Sequence, residues 1–495
     1  MPAKRILTAT LALLMIAAIP ARAASVPTLT VIDTIRPGAG ESYAMDYSNS
    51  VALNGYLYFA ARDGVIGVEL WRTNGTTTEL VKEILSGSNS SYPDHFTALG
   101  NYLYFTADDG THGTELWRTD GTALGTTLVK DIYSGSNSSN LAYLTAMGNY
   151  LYFNANDGTN GYELWRTDGT ELGTTLVKDI YSGGDGNPNR LVAFNGQLYF
   201  NGNDGTHGAE LWRTDGTELG TTLVKDIYSG GDGSDLDGLT FLGNDLYFEA
   251  NDGTHGYELW RTDGTTLGTA LVKDIQFNGD GHAYSLTAFN GYLYFQANDG
   301  TNGYELWRTD GTMLGTTLVS DIRPGGSSYP DSFTALGDYL YFSADDGTNG
   351  YELWRTDGTM LGTTLVSDIR PGGSSSPHYL TALGDYLYFS ANDGTTRGLW
   401  RTNGTTTEAV PFPGGASQYI DCDCYNTNIV AVGGRLYTTV AGSDIGNEFA
   451  YLDEPTYVLP ETNRDGSVWT TTLVILAGLT AAASIGLRVR GAKRP

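Results

Sequence analysis

ELWRTDGTELGTTLVKDIYSGGDG occupies Glu163–Gly186 and returns letter for letter at Glu210–Gly233, 47 positions further on. Shorter copies flank the pair. Trp71, Trp117, Trp165, Trp212, Trp260, Trp307, Trp354 and Trp400 all stand in this motif or a close variant, spaced 46, 48, 47, 48, 47, 47 and 46 residues apart. A fixed period of this size marks a repeat architecture, in which one unit cannot bury its apolar faces alone and stacking on its neighbours does so.

Four short runs in the unit around Trp165 read as strands: Ala142–Asn149, Tyr150–Asn156, Tyr162–Asp168 and Thr175–Ile180. They are rich in Tyr, Phe, Leu, Val and Thr, which suit a pleated, half-buried surface. The turn signals GN, NDGTNG, DGTELG and YSGGDG separate them. Glycine recurs too often for a helix. Four antiparallel strands in this length predict the blade of an all-β propeller. Alternation along Tyr162–Asp168 puts Glu163, Trp165 and Thr167 on one face and Leu164, Arg166 and Asp168 on the other.

The two ends complete the count. Thr28–Gly38 (TLTVIDTIRPG) resembles the fourth strand of a unit without the first three, and Asn428–Asp453 resembles the first three without a fourth. An N-terminal strand that completes the last blade closes the ring and leaves no bare sheet edge. The expectation is nine blades over residues 27–453. Eight blades with the ninth segment packed outside, and an open solenoid, are the alternatives.

On this motif the chain resembles the ELWxxDGT repeat proteins of bacterial exported proteins, over roughly residues 27–453. That family is defined by its repeat, so the resemblance implies the fold and export but no reaction.

Residues 1–23 read as a signal peptide: Lys4 and Arg5, an apolar run Ile6–Ile19, and small residues at Ala21 and Ala23. Residues 468–487 are 20 uncharged positions, the length of a membrane-crossing helix, and residues 488–495 carry Arg488, Arg490, Lys493 and Arg494. The positive-inside rule puts this tail in the cytoplasm and the propeller outside. Within the linker 454–467 lies LPETN (Leu459–Asn463), which with the span and tail resembles an LPxTG-type sorting signal. That resemblance implies a sortase cutting after Thr462; Asn463 stands where the family has Gly. Cell-wall attachment and plain membrane retention are both open.

Three of the 28 basic residues fall in the leader and four in the tail, and all 56 acids lie between, so the exported part carries a net charge of −35. Such a surface excludes nucleic acid and anionic lipid as partners and favours cations and solubility. Cys422 and Cys424 are the only cysteines, so disulfides do not hold the protein together.

The candidate chemistry is sparse. Asp157, Asp168, Asp204 and Asp215 stand in Asp-Gly turns, where Asp bonds the local backbone and Gly takes a positive φ. Exported Asp-rich loops also offer ligands for calcium, but none shows the D-x-D-x-D-G spacing, so the turn reading is preferred and no cofactor is expected. His112, His207 and His255 alternate with Asn160, Asn302 and Asn349 at one repeat position, which marks a loop-surface residue. His95, His282 and His378 lie in linkers that vary among units, and no pair has zinc-ligand spacing. No Ser-His-Asp context or phosphate loop occurs. The expectation is a non-catalytic cell-surface module that binds an extracellular protein or glycan. The alternatives are a polysaccharide hydrolase or lyase on a propeller, or a surface-layer component. A unique cluster of acids, His or Tyr on one ring face favours the enzyme; repeat-identical residues there favour binding.

Overall fold

The computed structural model describes residues 29–31, 35, 50–411, 429–442 and 446–453. The signal peptide, Cys422 and Cys424, LPETN with Thr462, the apolar span 468–487 and the basic tail lie outside the described residues. Among the described residues no helix is long and apolar enough to cross a membrane.

Nine four-stranded antiparallel sheets make up the structure. Blade three, around Trp165, is formed by Ala142–Met147, Tyr150–Asn156, Tyr162–Thr167 and Thr175–Lys178, so the sequence boundaries hold to within two residues at each strand end. Asp168 falls just past the third strand, in the turn. The ninth sheet joins Thr30–Val31 to Gly446–Asp453, with Thr30 opposite Tyr451, and continues through Arg435–Gly442 to Val430–Val432. The N-terminal strand therefore takes the fourth place in the last blade.

Two clusters show how blades adhere. Leu151, Phe153, Ala155 and Trp165 of blade three pack on Tyr104, Leu116, Val129 and Ile132 of blade two. The opposite face, with Tyr152, Leu164, Val177 and Ile180, meets Leu198, Phe200 and Trp212 of blade four. Each tryptophan thus faces the preceding blade, which is the reason it recurs. The seam between last and first blades is closed by the same means: Tyr437 packs with Leu57, Phe59 and Trp71, and Arg435 Nη1 donates to the Asn74 carbonyl at 2.5 Å. Trp117, Trp165, Trp212, Trp260 and Trp307 are buried, whereas Trp71, Trp354 and Trp400 are half-buried.

Polar groups complete the motif. In the third–fourth hairpin, Asp168 Oδ1 accepts from Thr170 N at 2.9 Å and Thr170 Oγ1 at 2.7 Å, while Gly169 N donates to Thr167 Oγ1 at 2.9 Å. Gly169 sits at φ +92°, and a Cβ there would lie 2.2 Å from the Tyr104 hydroxyl of the preceding blade. That close approach explains why the turn keeps glycine. In blades one, two, four and five Lys82, Lys130, Lys225 and Lys273 reach from the fourth strand to the hairpin carbonyl of the next blade at 2.7–2.9 Å.

The first strands line the axis. Their threonines bond blade to blade, as in Thr97 Oγ1 to Leu144 O and Thr145 Oγ1 to Leu191 O, both 3.3 Å. Linkers between blades and the second–third loops emerge on one face of the ring; the first–second and third–fourth hairpins emerge on the other.

Candidate functional site

The motif glutamates are buried anchors that the sequence did not assign. Glu69, Glu115, Glu163, Glu210, Glu258, Glu305 and Glu352 are each 0% exposed. Each grips the linker leaving its own blade: Glu163 Oε2 accepts from Ile180 N at 2.8 Å, and Oε1 from Gly186 N at 2.8 Å. Burial outweighs these hydrogen bonds and pushes Glu163, Glu210 and Glu258 up to about 7. In blade eight Gly398 stands in place of the glutamate, ahead of a linker of different sequence. That coincidence was the available signal.

Held in this way, each linker delivers its end to the axial rim of one face. There each first strand of blades two to eight opens on a bulge, as between Ala142 and Thr145. The bulged residue has positive φ, for example 59° at Tyr143 and 54° at Arg190. The repeats diverge most at this rim. The bulge position reads His95, Tyr143, Arg190, Gly238, Ser285, Ser332 and Tyr379 from blade to blade. The residue before it and the linker residue two further back vary as freely, giving Asp235 and Asp237, His282 and Tyr284, Tyr329 and Asp331. The second-strand residue opposite the strand start varies too, and it is Glu249 in blade five.

Blades five to seven bring these variable groups together. The Glu249 side chain is 3% exposed, and its Oε1 lies 2.8 Å from His282 Nδ1. The same nitrogen is 2.8 Å from the Tyr284 hydroxyl. The His282 ring stacks on Tyr257 at 5.3 Å and on Tyr284 at 5.0 Å, and Tyr304 stacks on Tyr329 at 5.3 Å. Tyr257 donates to Asp235 Oδ2 at 3.0 Å, and Ser285 Oγ donates to Asp331 Oδ1 at 2.7 Å. Burial raises Glu249 above the usual carboxylate range, against the pull of His282. Desolvation and the charge of Glu249 push Tyr284 up to about 12, so it stays a neutral phenol able to donate.

A cavity of about 440 Å³ opens beside this array, lined by Tyr284, Gln296, Tyr329, Asp331, Ser343 and His378 among others. A second of about 440 Å³ shares Ser285, Asp331 and Ser332 and runs toward Arg190 and Asp237, whose Nε and Oδ1 are 3.1 Å apart. His282 and His378, read from the sequence as linker residues, thus reach one rim.

The other sequence candidates stay in their loops. Asp157 Oδ1 accepts from Thr159 N and Asn160 N, each at 2.8 Å, and Oδ2 accepts from Asn160 Nδ2 at 2.7 Å. Asp204 holds Thr206 N, His207 N and His207 Nδ1 in the same way, at 2.8–2.9 Å. Asp168 and Asp215 tie their hairpins. Among the described residues no group of three or more His, Cys, Asp or Glu converges to hold a metal. The swap of His112, His207 and His255 with Asn follows from this geometry, since both side chains donate to the same aspartate oxygen. That bond raises the histidine pKa.

The opposite face differs. Leu124, Leu172, Leu219, Leu267, Leu314 and Leu361, one in each of blades two to seven at the third–fourth hairpins, are 90–97% exposed.

These features define a nine-bladed β-propeller with one chemically individual rim. No family model matches the chain, and no curated protein does. Solved structures similar to it include the computationally designed Ika8 protein, at 18% identity and TM-score 0.42, covering 76% of this chain and all of that one. A mutant puromycin hydrolase complexed with PGG aligns at 13% identity and TM-score 0.37, over 71% of this chain and 59% of its own. A prolyl endopeptidase aligns at 11% and 0.39, over 80% and 55%. The chain therefore spans little more than half the length of these two peptidases, and the likeness carries nothing about what it does.

Proposed function

We propose that this is an exported propeller, held at the cell surface by its C-terminal apolar span or by sortase attachment after Thr462, which binds an extracellular protein or glycan with its axial rim. One observation carries the reading. Repeats that are otherwise near copies diverge most where the blade linkers meet the axis, and there they present tyrosine, histidine, serine and carboxylates around cavities. Duplication alone multiplies identical residues. Divergence concentrated on one surface, over a repeated core, is what recognition of an asymmetric ligand requires. The expectation that a binding face would carry repeat-identical residues is thereby revised, and the non-repeating cluster fits the enzyme reading below as well. Tyrosine adds rigid amphipathic contact area and the short polar residues add adaptable hydrogen bonds.

The test is binding of the full-length protein to whole cells and to a panel of extracellular proteins and glycans, with Asp331→Asn and Tyr329→Ala beside the opposite-face variant Leu172→Ser. The reading expects binding that the first two weaken and the third leaves alone. Binding that only Leu172→Ser disturbs would move the function to the other face.

The Glu249–His282–Tyr284 arrangement favours a second reading, a polysaccharide hydrolase or lyase. A carboxylate on Nδ1 is the usual way to orient a histidine for proton transfer. Release of reducing ends or unsaturated products from polysaccharides, lost in His282→Gln, would establish it.

A further inference from the structure

Resting on the rim-binding reading, we infer that the cavity between blades six and eight is a subsite for a neutral oligosaccharide, one that admits unsubstituted hexose or N-acetylhexosamine units and rejects uronates. The argument begins with the lining. Tyr284, Tyr329, Ser332, Ser343 and His378 carry groups that donate, Asp331 only accepts, and the Gln296 amide does both. These groups ring a single cavity of about 440 Å³, within the range of about 300–1,000 Å³ typical of small-ligand sites. A bare cation would satisfy the acceptors and leave the donors unpaired. A hydrocarbon would leave both unpaired. A sugar hydroxyl both donates and accepts at each position, and so matches a mixed wall.

The aromatic groups add the second half of the fit. Tyr284 and Tyr329 flank the opening and are 37% and 43% exposed, high for side chains of this size. Each is braced from behind: Tyr284 by the His282 ring at 5.0 Å and Tyr329 by the Tyr304 ring at 5.3 Å. Braced rings present an apolar surface at little ordering cost. Such a surface suits the C–H face of a pyranose, whose hydroxyls then point to the polar wall.

Charge decides which sugars enter. Arg190, at the far end of the adjoining cavity, is already paired with Asp237. Asp331 stands on the wall shared by both cavities, and Glu249 lies just behind Tyr284. The exported part as a whole is strongly acidic. A carboxylated sugar would meet Asp331, and the guanidinium groups near this wall are engaged, Arg323 with Asp345 and Arg397 with the Ser376 carbonyl; like charges so placed oppose binding.

The experiment is isothermal titration of the full-length protein with chito-, cello- and manno-oligosaccharides and, as the acidic counterpart, oligogalacturonates of equal length. The expected result is binding of at least one neutral series, with oligogalacturonate at least tenfold weaker. Tyr329→Ala and Asp331→Asn each weaken the neutral ligand tenfold or more. Tyr329→Phe retains most of the affinity, and Leu172→Ser retains all of it. Asp331→Asn removes a charge and little volume, so it reports on the site even where Tyr329→Ala unfolds. Equal or tighter oligogalacturonate binding overturns the charge argument. Neutral binding indifferent to both rim variants places the sugar elsewhere and overturns the assignment. If no oligosaccharide binds while cells or an extracellular protein do so in an Asp331-dependent way, the glycan subsite falls and the rim-binding reading stands; if nothing binds, both fall.

Discussion

Acidifying the solution from pH 8 to pH 5 should stabilise this protein, against the usual behaviour of an acid-rich chain. The perturbation acts on Glu163, Glu210 and Glu258, buried in the repeated anchor and pushed up to about 7 from an ordinary 4.5. A group whose pKa is higher folded than unfolded holds its proton in the native state over that window. Its stabilisation is complete below 4.5 and is lost as pH rises through 7. For a shift of this size, linkage gives about 2.5 kcal/mol per carboxyl between pH 8 and pH 5, an upper bound of about 7.5 kcal/mol for three independent sites. The loop aspartates Asp109, Asp157 and Asp204 run the other way, held below their usual range by local hydrogen bonds and His or Asn partners. Their contribution fades only as pH falls below about 4, outside the window. Urea unfolding at pH 5, 6, 7 and 8 reads the effect as a falling midpoint. The triple variant Glu163→Gln, Glu210→Gln, Glu258→Gln should reduce that slope without abolishing it, because the amide cannot titrate, whereas Glu69, Glu115, Glu305 and Glu352 and the loop histidines His112, His207 and His255, also raised, still do. A wild-type midpoint that is level or higher at pH 8 refutes the reasoning, as does a variant with an undiminished slope.

Three further outcomes are expected. Trp212→Ala should cost about 3–5 kcal/mol by urea unfolding, and Trp212→Phe less, because the buried indole N–H has no hydrogen-bond partner to lose; a loss below about 1 kcal/mol would show that the inter-blade contact is not core. His112→Asn should leave stability within about 0.5 kcal/mol, since Asn160 makes the same bond one blade on, and a larger loss would give the histidine a role beyond its loop. Thermal melts with calcium and with EDTA should coincide, because Asp157 and Asp204 already accept three donors each; a rise in Tm with calcium that Asp157→Ala abolishes would revive the metal reading.

Much of the fold was legible because its causes are local and repeated. Glycine and aspartate mark the same turns in nearly every unit, and alternation along YELWRT separates the Trp165 face from the Leu164 face, as the two blade interfaces confirm. Closure was legible because Thr28–Gly38 has the pattern of a fourth strand and nothing to pair with nearby. The anchoring glutamates were not, because a Glu in an alternating strand reads as a solvated residue until its linker is seen folded back over it. The rim was hidden for a related reason. Asp235, His282 and Tyr329 are scattered through linkers, and only the ring brings successive linkers side by side.

The division of labour between motif and rim follows from the same geometry. Glu163 grips backbone N–H groups of its linker, Ile180 and Gly186. A carboxylate that binds backbone is indifferent to the side chains it carries past. Linkers ending in Asn187 or His282 are therefore held alike, by Glu163 and Glu258, with Gly186 and Gly281 at equivalent places. Even the bulge tolerates exchange, since positive φ is imposed by the ring on tyrosine, arginine and serine alike. A scaffold that fixes backbone and ignores side chains lets copies of one repeat acquire different chemistry at the axis without altering the blades. It also predicts where substitution should be cheap for stability and expensive for binding: at Tyr329 and Asp331, and not at the tryptophans.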